Sequence, residues 1–416
     1  MDLGKPALDA RHTTGRTALA AATLLAASVV LAASAQAADP GVTDKSIKIG
    51  VLAPFSGPAS VYSKAANMAM AIYKDVNAHG GINGRQLEIV SADTRCDAAT
   101  LQAVIRKFVE QDNVFMISGG SCSNAIIAAK PLIEQYGIPF VTINAASAKI
   151  SEPPVRNLFH VKATSDEQAD AIARFVASNP EAKTIALAAT SDEWGQTSIA
   201  TVKQALEKDA RQAKIATNQE LDPKGADPTP AIQKVMAVKP AVTVVFAYPQ
   251  PMTIFLKNAR PQGLTGPIVT GDGTRPDEQA TRLGSRAAAE NFFSIFGFAA
   301  PFDAPSHDNY KKLFAKEYPK LDWDSVALEG AVSAQFNVEI LKAMGNNVTR
   351  DNFIRTAETT TVESISGPLK FSPFDAKNKL TRRPGIHPNF SVLDPKATGT
   401  QTIVVNSWSD WLKAKK

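Results

Sequence analysis

Cysteine is nearly absent from this chain: two residues in 416, Cys96 and Cys122. So low a count leaves no set of thiolates for a structural metal. Histidine is scarce too. None of His12, His79, His160, His307 and His387 stands four residues from another or beside a cysteine, so the usual zinc-binding spacings are missing. No HExxH, GxSxG, GxxxxGK or GxGxxG string occurs, which removes the common carriers of metallohydrolase, serine-hydrolase, P-loop and dinucleotide chemistry. Nor is there a surplus of one charge. Lys plus Arg number 45 against 40 Asp plus Glu, a formal +5 of which +4 lies beyond residue 37, too thin to grip nucleic acid. Beyond that residue no 18-residue window is apolar throughout, so no membrane span is expected there. What remains is a folded chain, 44% hydrophobic and 20% charged, a balance that disordered chains lack.

The amino terminus carries an export signature. Lys5, Arg11 and Arg16 precede an apolar stretch from Ala18 to Ala33, and Ala35-Gln36-Ala37 supplies the small-x-small pattern cut by signal peptidase. Cleavage is expected after Ala37. The alternative is a membrane anchor, but 16 residues rise only ~24 Å as a helix, short of a bilayer core. A lipid anchor would need a cysteine at the cut, and the first is Cys96. The product is therefore expected to be soluble outside the cytoplasm, with 379 residues left, enough for two or three domains at ~150 each. In an exported protein Cys96 and Cys122 are expected to be bonded, each just past the end of a strand and on neighbouring strands of one sheet. Such a closure is worth roughly 3.5 kcal/mol in the loop-entropy account. Two buried free thiols are the alternative.

Strand and helix patterns alternate along the mature chain. Ser46 to Ala53 reads as a strand, and Val61 to Ala78 as a helix with Ala65, Met68, Ala69, Ile72 and Val76 on one face. Gly80-Gly81-Ile82-Asn83-Gly84 ends that helix and leads into strand Gln86 to Ala92. Asp97 is placed to cap helix Ala98 to Gln111; strand Val114 to Ser118, helix Ser123 to Tyr136 and strand Pro139 to Ile143 follow. After Ser151-Glu152-Pro153-Pro154 the grammar resumes with strands Thr184 to Thr190, Lys214 to Leu221, Ala241 to Tyr248, Pro267 to Gly271 and Phe292 to Phe298. Helices Gly195 to Asp209, Thr229 to Val238 and Met252 to Arg260 lie between them. Later helices His307 to Tyr318, Ser325 to Met344 and Arg350 to Thr359 have no sheet of their own and are expected to return to the first unit. Two α/β units in series imply two lobes with parallel sheets covered on both faces.

Several strings together resemble one family. Ser56-Gly57-Pro58 after a strand, Asn77 to Arg85 (NAHGGINGR), the CDAA at Cys96, Ser121-Cys122-Ser123, and Asp192 to Gly195 (DEWG) are similar to the periplasmic leucine/isoleucine/valine-binding proteins. The resemblance runs from about Ile47 to near Val404. It implies a type I periplasmic-binding fold, two Rossmann-like lobes joined by three hinge segments, which closes on a ligand and delivers it to an inner-membrane ABC permease. The lobes are expected at 46–162 plus 296–366 and at 163–295 plus 367–416, with crossings near His160 to Ala163, near Ser294 to Gly297, and after Gly367. A monomer without cofactor or metal is expected.

The same resemblance suggests the site. Ser121-Cys122-Ser123 lies where a strand hands over to a helix, so its amides and hydroxyls suit a ligand carboxylate. Asn144-Ala145-Ala146-Ser147 follows the next strand; its carbonyls are placed to accept from an ammonium, with Ala145 the expected contact, and Ser147 to donate to the carboxylate. A plain helix cap at Ser123 and a turn residue at Ser147 are the structural alternatives. Asp272, in Gly271-Asp272-Gly273, stands where the family carries a carboxylate for the ligand's ammonium, unless it is an ordinary Asp-Gly turn. Trp194 takes the place of a frequent tyrosine, and Tyr248 and Tyr62 stand near the cleft edges by topology; packing is the alternative for all three. Two ligand classes stay open: a branched-chain or other hydrophobic amino acid, and a benzoate- or cinnamate-type carboxylate. A periplasmic sensor is a further alternative, and nothing in the motifs points to an enzyme.

Overall fold

Ser46–Ala53 (β1) is buried along almost its whole length, as a strand covered on both faces must be. It opens a computed structural model that describes residues 39–416 apart from Pro58 and His387. The expected export signal at 1–37 lies outside the described residues. The chain continues through Ser63–Ala78 (α1), Gln86–Asp93 (β2), Ala98–Glu110 (α2), Met116–Gly119 (β3), Ser123–Tyr136 (α3), Phe140–Val141 (β4) and Leu158–Phe159 (β5). These strands form one parallel sheet in the order β2-β1-β3-β4-β5. A second run follows: Ser165–Ala177 (α4), Thr184–Thr190 (β6), Glu193–Asp209 (α5), Lys214–Leu221 (β7), Thr229–Ala237 (α6), Val242–Phe246 (β8), Pro249–Ala259 (α7), Ile268–Thr270 (β9), Pro276–Leu283 (α8) and Phe292–Phe296 (β10). Then come Asp308–Glu317 (α9), Ser325–Ala343 (α10), Arg350–Thr359 (α11), the hairpin Thr361–Ser364 (β11) and Gly367–Lys370 (β12), and finally Asn389–Leu393 (β13), Thr402–Val405 (β14) and Trp408–Lys415 (α12). The second sheet has the order β14-β13-β10-β9-β8-β6-β7, parallel except where β13 runs antiparallel to β10 and β14 to β13.

The period of two in each central strand sorts its side chains between two cores. Ile47, Ile49, Val51 and Ala53 face α1 and α10, while Leu52 faces α2 and α3. Gly50 lies on that second face because a Cβ there would come within 2.5 Å of the Phe108 ring. In the second lobe Ile185, Leu187 and Ala189 face α4 and α5, and Ala186 and Ala188 face α6 and α7. Helix α10 returns to the first lobe as its sequence suggests, and Gly330 sets how close it comes: a Cβ would lie 1.9 Å from the Ala65 carbonyl of α1.

Three strands of chain cross between the lobes. Phe159 belongs to the first core and Ala169 to the second, with 160–164 between them. Ser294 pairs with Ser391 in the second sheet, whereas Phe298 lies in the first core. The third crossing corrects the sequence reading, which hands 367 onward to the second lobe. Leu369 and Phe371 pack in the first core, and Arg382 still binds that lobe, its Nε donating to the Arg156 carbonyl at 2.7 Å. The crossing follows Arg383. Hairpin β11–β12 offers only Val362 and Leu369 to the core, too short an alternation to announce that it closes on α10.

Cys96 and Cys122 are joined, with Cα atoms 5.4 Å apart. Both sit just past strand ends, after β2 and β3, but these strands are not neighbours, because β1 lies between them. Under non-reducing digestion of the exported protein the two peptides are expected as one linked species; two freely alkylated thiols would contradict the bond. Gly330→Ala is expected to lower the thermal midpoint, since pushing α10 off α1 costs about 1–3 kcal/mol of overpacking, more than the ~1 kcal/mol of helix propensity gained. A midpoint at or above wild type would show that the two helices have room to part.

Candidate functional site

In each sheet the strand order reverses once, and there the loops leaving the carboxyl ends diverge to form a crevice. In the first sheet this happens between β1 and β3, so the crevice is flanked by the loop running to Tyr62 and by Gly120 to Ser123. In the second it happens between β6 and β8, flanked by Asp192 to Trp194 and by Tyr248. Topology thus brings Tyr62, Ser123, Trp194 and Tyr248 to the carboxyl edges of their sheets.

On the first lobe, Cys122 and not Ser123 is the N-cap of α3, and its side chain makes no capping hydrogen bond to that helix. With the cap sulfur committed to the disulfide, the amides of the first turn are left for an anion. Ser123, at the first helical position, accepts from the Ser147 amide through Oγ at 3.3 Å, which ties the two proposed carboxylate ligands together. The Ala145 carbonyl already accepts from His160 Nε2 at 2.7 Å, and that of Ala146 from the Ser165 amide at 2.7 Å. Ala145 itself is buried. Burial, with the charges of Arg383 and Lys162 adding to it and the Ala145 carbonyl opposing, pushes the His160 pKa down to about 4, so the ring is neutral and Nε2 is the donor.

On the second lobe, Tyr248 stacks on Trp194 with ring centroids 4.8 Å apart, and the indole meets Phe246 edge-on at 6.0 Å. The Tyr248 hydroxyl donates to Asp192 Oδ2 at 2.7 Å. Burial first, then this bond and the Asp192 charge, raise its pKa above the ordinary phenol value. Asp192 also caps α5 by accepting from the Gly195 amide at 3.1 Å. The glycine after Trp194 has a steric cause: a Cβ there would lie 2.2 Å from the Thr190 carbonyl.

Asp272 does not stand alone. Its Oδ2 lies 2.6 Å from Lys162 Nζ, and the same ammonium is 2.9 Å from Glu329 Oε1. Asp272 comes from the loop after β9, Lys162 from the first crossing, and Glu329 from α10, so the cluster spans both lobes. Gln168 fixes the Asp272 loop, accepting from its amide at 3.2 Å while donating to the Ala163 carbonyl at 3.1 Å. Burial presses the Lys162 ammonium to lose its proton, but Asp272 and Glu329 outweigh that and hold its pKa above the ordinary lysine value. Burial drives Glu329 up to about 7; Lys162 opposes the shift and Asp272 adds to it. Tyr62 stands close enough to feel all three charges, and its hydroxyl pKa is raised chiefly by burial.

A cavity between the lobes is lined by Val161, Lys162, Asp272, Phe296, Glu329 and Val332, among others. Of the seven residues read from the sequence as ligand contacts, Asp272 is the one that lines it. Tyr62 and Tyr248 adjoin each other closely enough to interact electrostatically, whereas Ser123, Ala145 and Ser147 form their own cluster on the first lobe. Lys162 and Glu329 escaped the sequence reading because neither belongs to a motif and their meeting depends on contacts across 167 residues.

The model of the periplasmic binding protein family matches residues 46–383. A leucine-, isoleucine-, valine-, threonine- and alanine-binding protein of Pseudomonas aeruginosa is 28% identical over 235 residues, 56% of this chain and 62% of that one. The alignment thus spans less than two thirds of that relative. Among solved structures, the branched-chain amino acid transporter substrate-binding protein of Streptococcus pneumoniae, in complex with isoleucine, superposes with a TM-score of 0.69 at 20% identity, covering 87% of this chain and 99% of that one. An ABC-transporter solute-binding protein of Rhodopseudomonas palustris BisB5, in complex with 3,4-dihydroxybenzoic acid, gives 0.70 at 19% identity, covering 86% and 96%. Two Rossmann-like lobes, three crossings and a match along most of the chain make it a member of the periplasmic binding protein family.

Proposed function

We propose that this chain is the solute receptor of an ABC importer, working in the periplasm and closing its lobes on a hydrophobic amino acid. One observation carries the ligand class. The cleft buries two carboxylates, Asp272 and Glu329, around one ammonium, Lys162, and is therefore one cation short. A buried carboxylate without a partner is costly, and a ligand ammonium supplies the missing charge. In this reading its carboxylate goes to the first turn of α3 with Ser123 and Ser147. Export rests on the signature at residues 1–37, and the permease of the inner membrane is the partner. The action is binding and hinge closure, with no covalent step.

An aromatic carboxylate is the second reading. The Trp194–Tyr248 stack favours it, since it offers a flat apolar wall, and Lys162 already gives Asp272 a cation. Calorimetry with leucine, phenylalanine and benzoate separates the two. If an amino acid is the ligand, Asp272→Ala is expected to weaken it by roughly 3–5 kcal/mol, more than a hundredfold, while a benzoate-type acid is little affected. Binding of benzoate alone, indifferent to the substitution, would reverse the ligand class. Under either reading the methyl ester of the ligand is expected to lose most of its affinity, because a charge-assisted bond of about 1.5–3 kcal/mol disappears. An ester as tight as the acid would remove Ser123 and Ser147 from the site.

A further inference from the structure

Resting on the reading that the cleft takes an amino acid, we propose that Glu329 is a specificity-determining residue: it retains Lys162 when the ligand's ammonium comes to Asp272, so that a zwitterion completes a set of two carboxylates and two cations.

The placement of the three groups argues for this division of labour. Glu329 is fixed to the first lobe, because Gly330 beside it presses α10 onto the Ala65 carbonyl of α1. Asp272 belongs to the second lobe, and its loop is tied through Gln168 to α4. Lys162, in the crossing between them, reaches both. An ammonium has three donors, so Lys162 can serve two carboxylates at once. It cannot neutralise both, and one negative charge is left over in a group whose side chains are each at least 83% buried.

The surroundings provide no other cation for that charge among the described residues. Asp324, which caps α10 and adds to the negative field at Glu329, is itself held by Lys64 at 2.8 Å. Arg275 lines the same cavity, but Asp277 matches its charge through bonds of 3.0 and 2.8 Å to Nε and Nη2, leaving Nη1 without a partner. Tyr62, from the turn before α1, contributes a neutral hydroxyl. Without ligand the surplus is relieved by a proton on Glu329, consistent with a carboxyl raised to about 7. When a ligand ammonium reaches Asp272, Lys162 turns wholly to Glu329, the carboxyl ionises, and its proton leaves to solvent. A carboxylic acid lacking an amine brings no cation, so Glu329 keeps its proton and the site gains nothing from it.

Calorimetry at pH 7 in phosphate and in Tris, buffers with different protonation heats, counts the protons exchanged. Wild-type protein is expected to release a measurable fraction of a proton per leucine bound, because a carboxyl raised by burial and by Asp272 becomes fully ionised. Glu329→Gln is expected to abolish the release and weaken leucine by about tenfold or more, the loss of one charge balance, with benzoate changed little. Leucine binding with no proton release, or release that survives in Glu329→Gln, would overturn the proposal. Absence of any amino-acid binding would overturn the ligand reading, and the selectivity with it.

A measurement without ligand tests the proton itself. A carboxyl with a raised folded pKa contributes stability that is full below its unfolded pKa and lost as pH rises through the folded value near 7. Thermal midpoints of the wild type are expected to fall between pH 5 and pH 8 more steeply than those of Glu329→Gln; parallel falls would mean that Glu329 carries no proton in the empty protein.

Discussion

One buried ammonium holds the geometry of the cleft. Lys162 issues from the first crossing and is gripped by a carboxylate from each lobe, Glu329 at 2.9 Å and Asp272 at 2.6 Å. Removing such a cation would leave two buried carboxylates facing each other, which is costly on the scale of several kcal/mol. The backbone on either side is positioned to serve this contact. Gly330 admits α10 close enough to α1 to aim Glu329, and Gly271 lets its loop pass the Phe246 ring, where a Cβ would come within 2.6 Å. The two glycines have no chemistry of their own, yet the cluster depends on both.

Two arginines anchor the third crossing beside this centre. Arg382 is fully buried, donates to Glu358 Oε1 at 2.5 Å and to the Arg156 carbonyl, and lies against the rings of Phe159 and Phe374. Arg383 binds the Asp166 carboxylate, the Ser151 hydroxyl and the Ala148 carbonyl. Asp166 lies in the first turn of α4, whereas Ser151 and Ala148 lie just beyond β4 on the first lobe, so Arg383 joins two crossings at one point. Sliding at this point would break charge-assisted bonds at buried positions.

Much of this was legible in the sequence, for reasons that differ by element. Helices α1 and α3 were readable because their apolar stripes are long and their ends carry glycine or turn signals. Strand β5 leaves little trace because Leu158–Phe159 is two residues long, whereas α4, absent from the sequence reading, does carry an apolar stripe of Ala169, Ile172, Phe175 and Val176 behind a Thr164–Glu167 capping box. The disulfide was readable from the cysteine count, but not the intervening strand β1, since sheet order is set by packing and not by chain order. At Ser123 the sequence suggested either a cap or a ligand contact; the cap proved to be Cys122, an unusual capping residue whose sulfur is already bonded. Lys162 and Glu329 left no local trace, because their meaning lies in a long-range meeting of opposite charges.

Closure and charge balance are bound together by solvent. Where water reaches such a cluster, it screens an ionised carboxylate, and a second cation adds little. As the lobes approach, the same groups lose their water, each unpaired charge becomes more costly, and the value of a matching ammonium rises. The Tyr248–Trp194 stack and Tyr62, aromatic surfaces from opposite lobes that adjoin one another, keep water from this side of the cleft in the same way. Under the amino-acid proposal, a ligand that satisfies the first-turn amides of α3 but brings no cation meets a growing penalty as water leaves, whereas one that satisfies both ends meets a falling one. On the proposed amino-acid reading, the discrimination is exerted in closure more than in the first encounter, because the charge deficit of Asp272 and Glu329 has its full cost only where solvent is excluded.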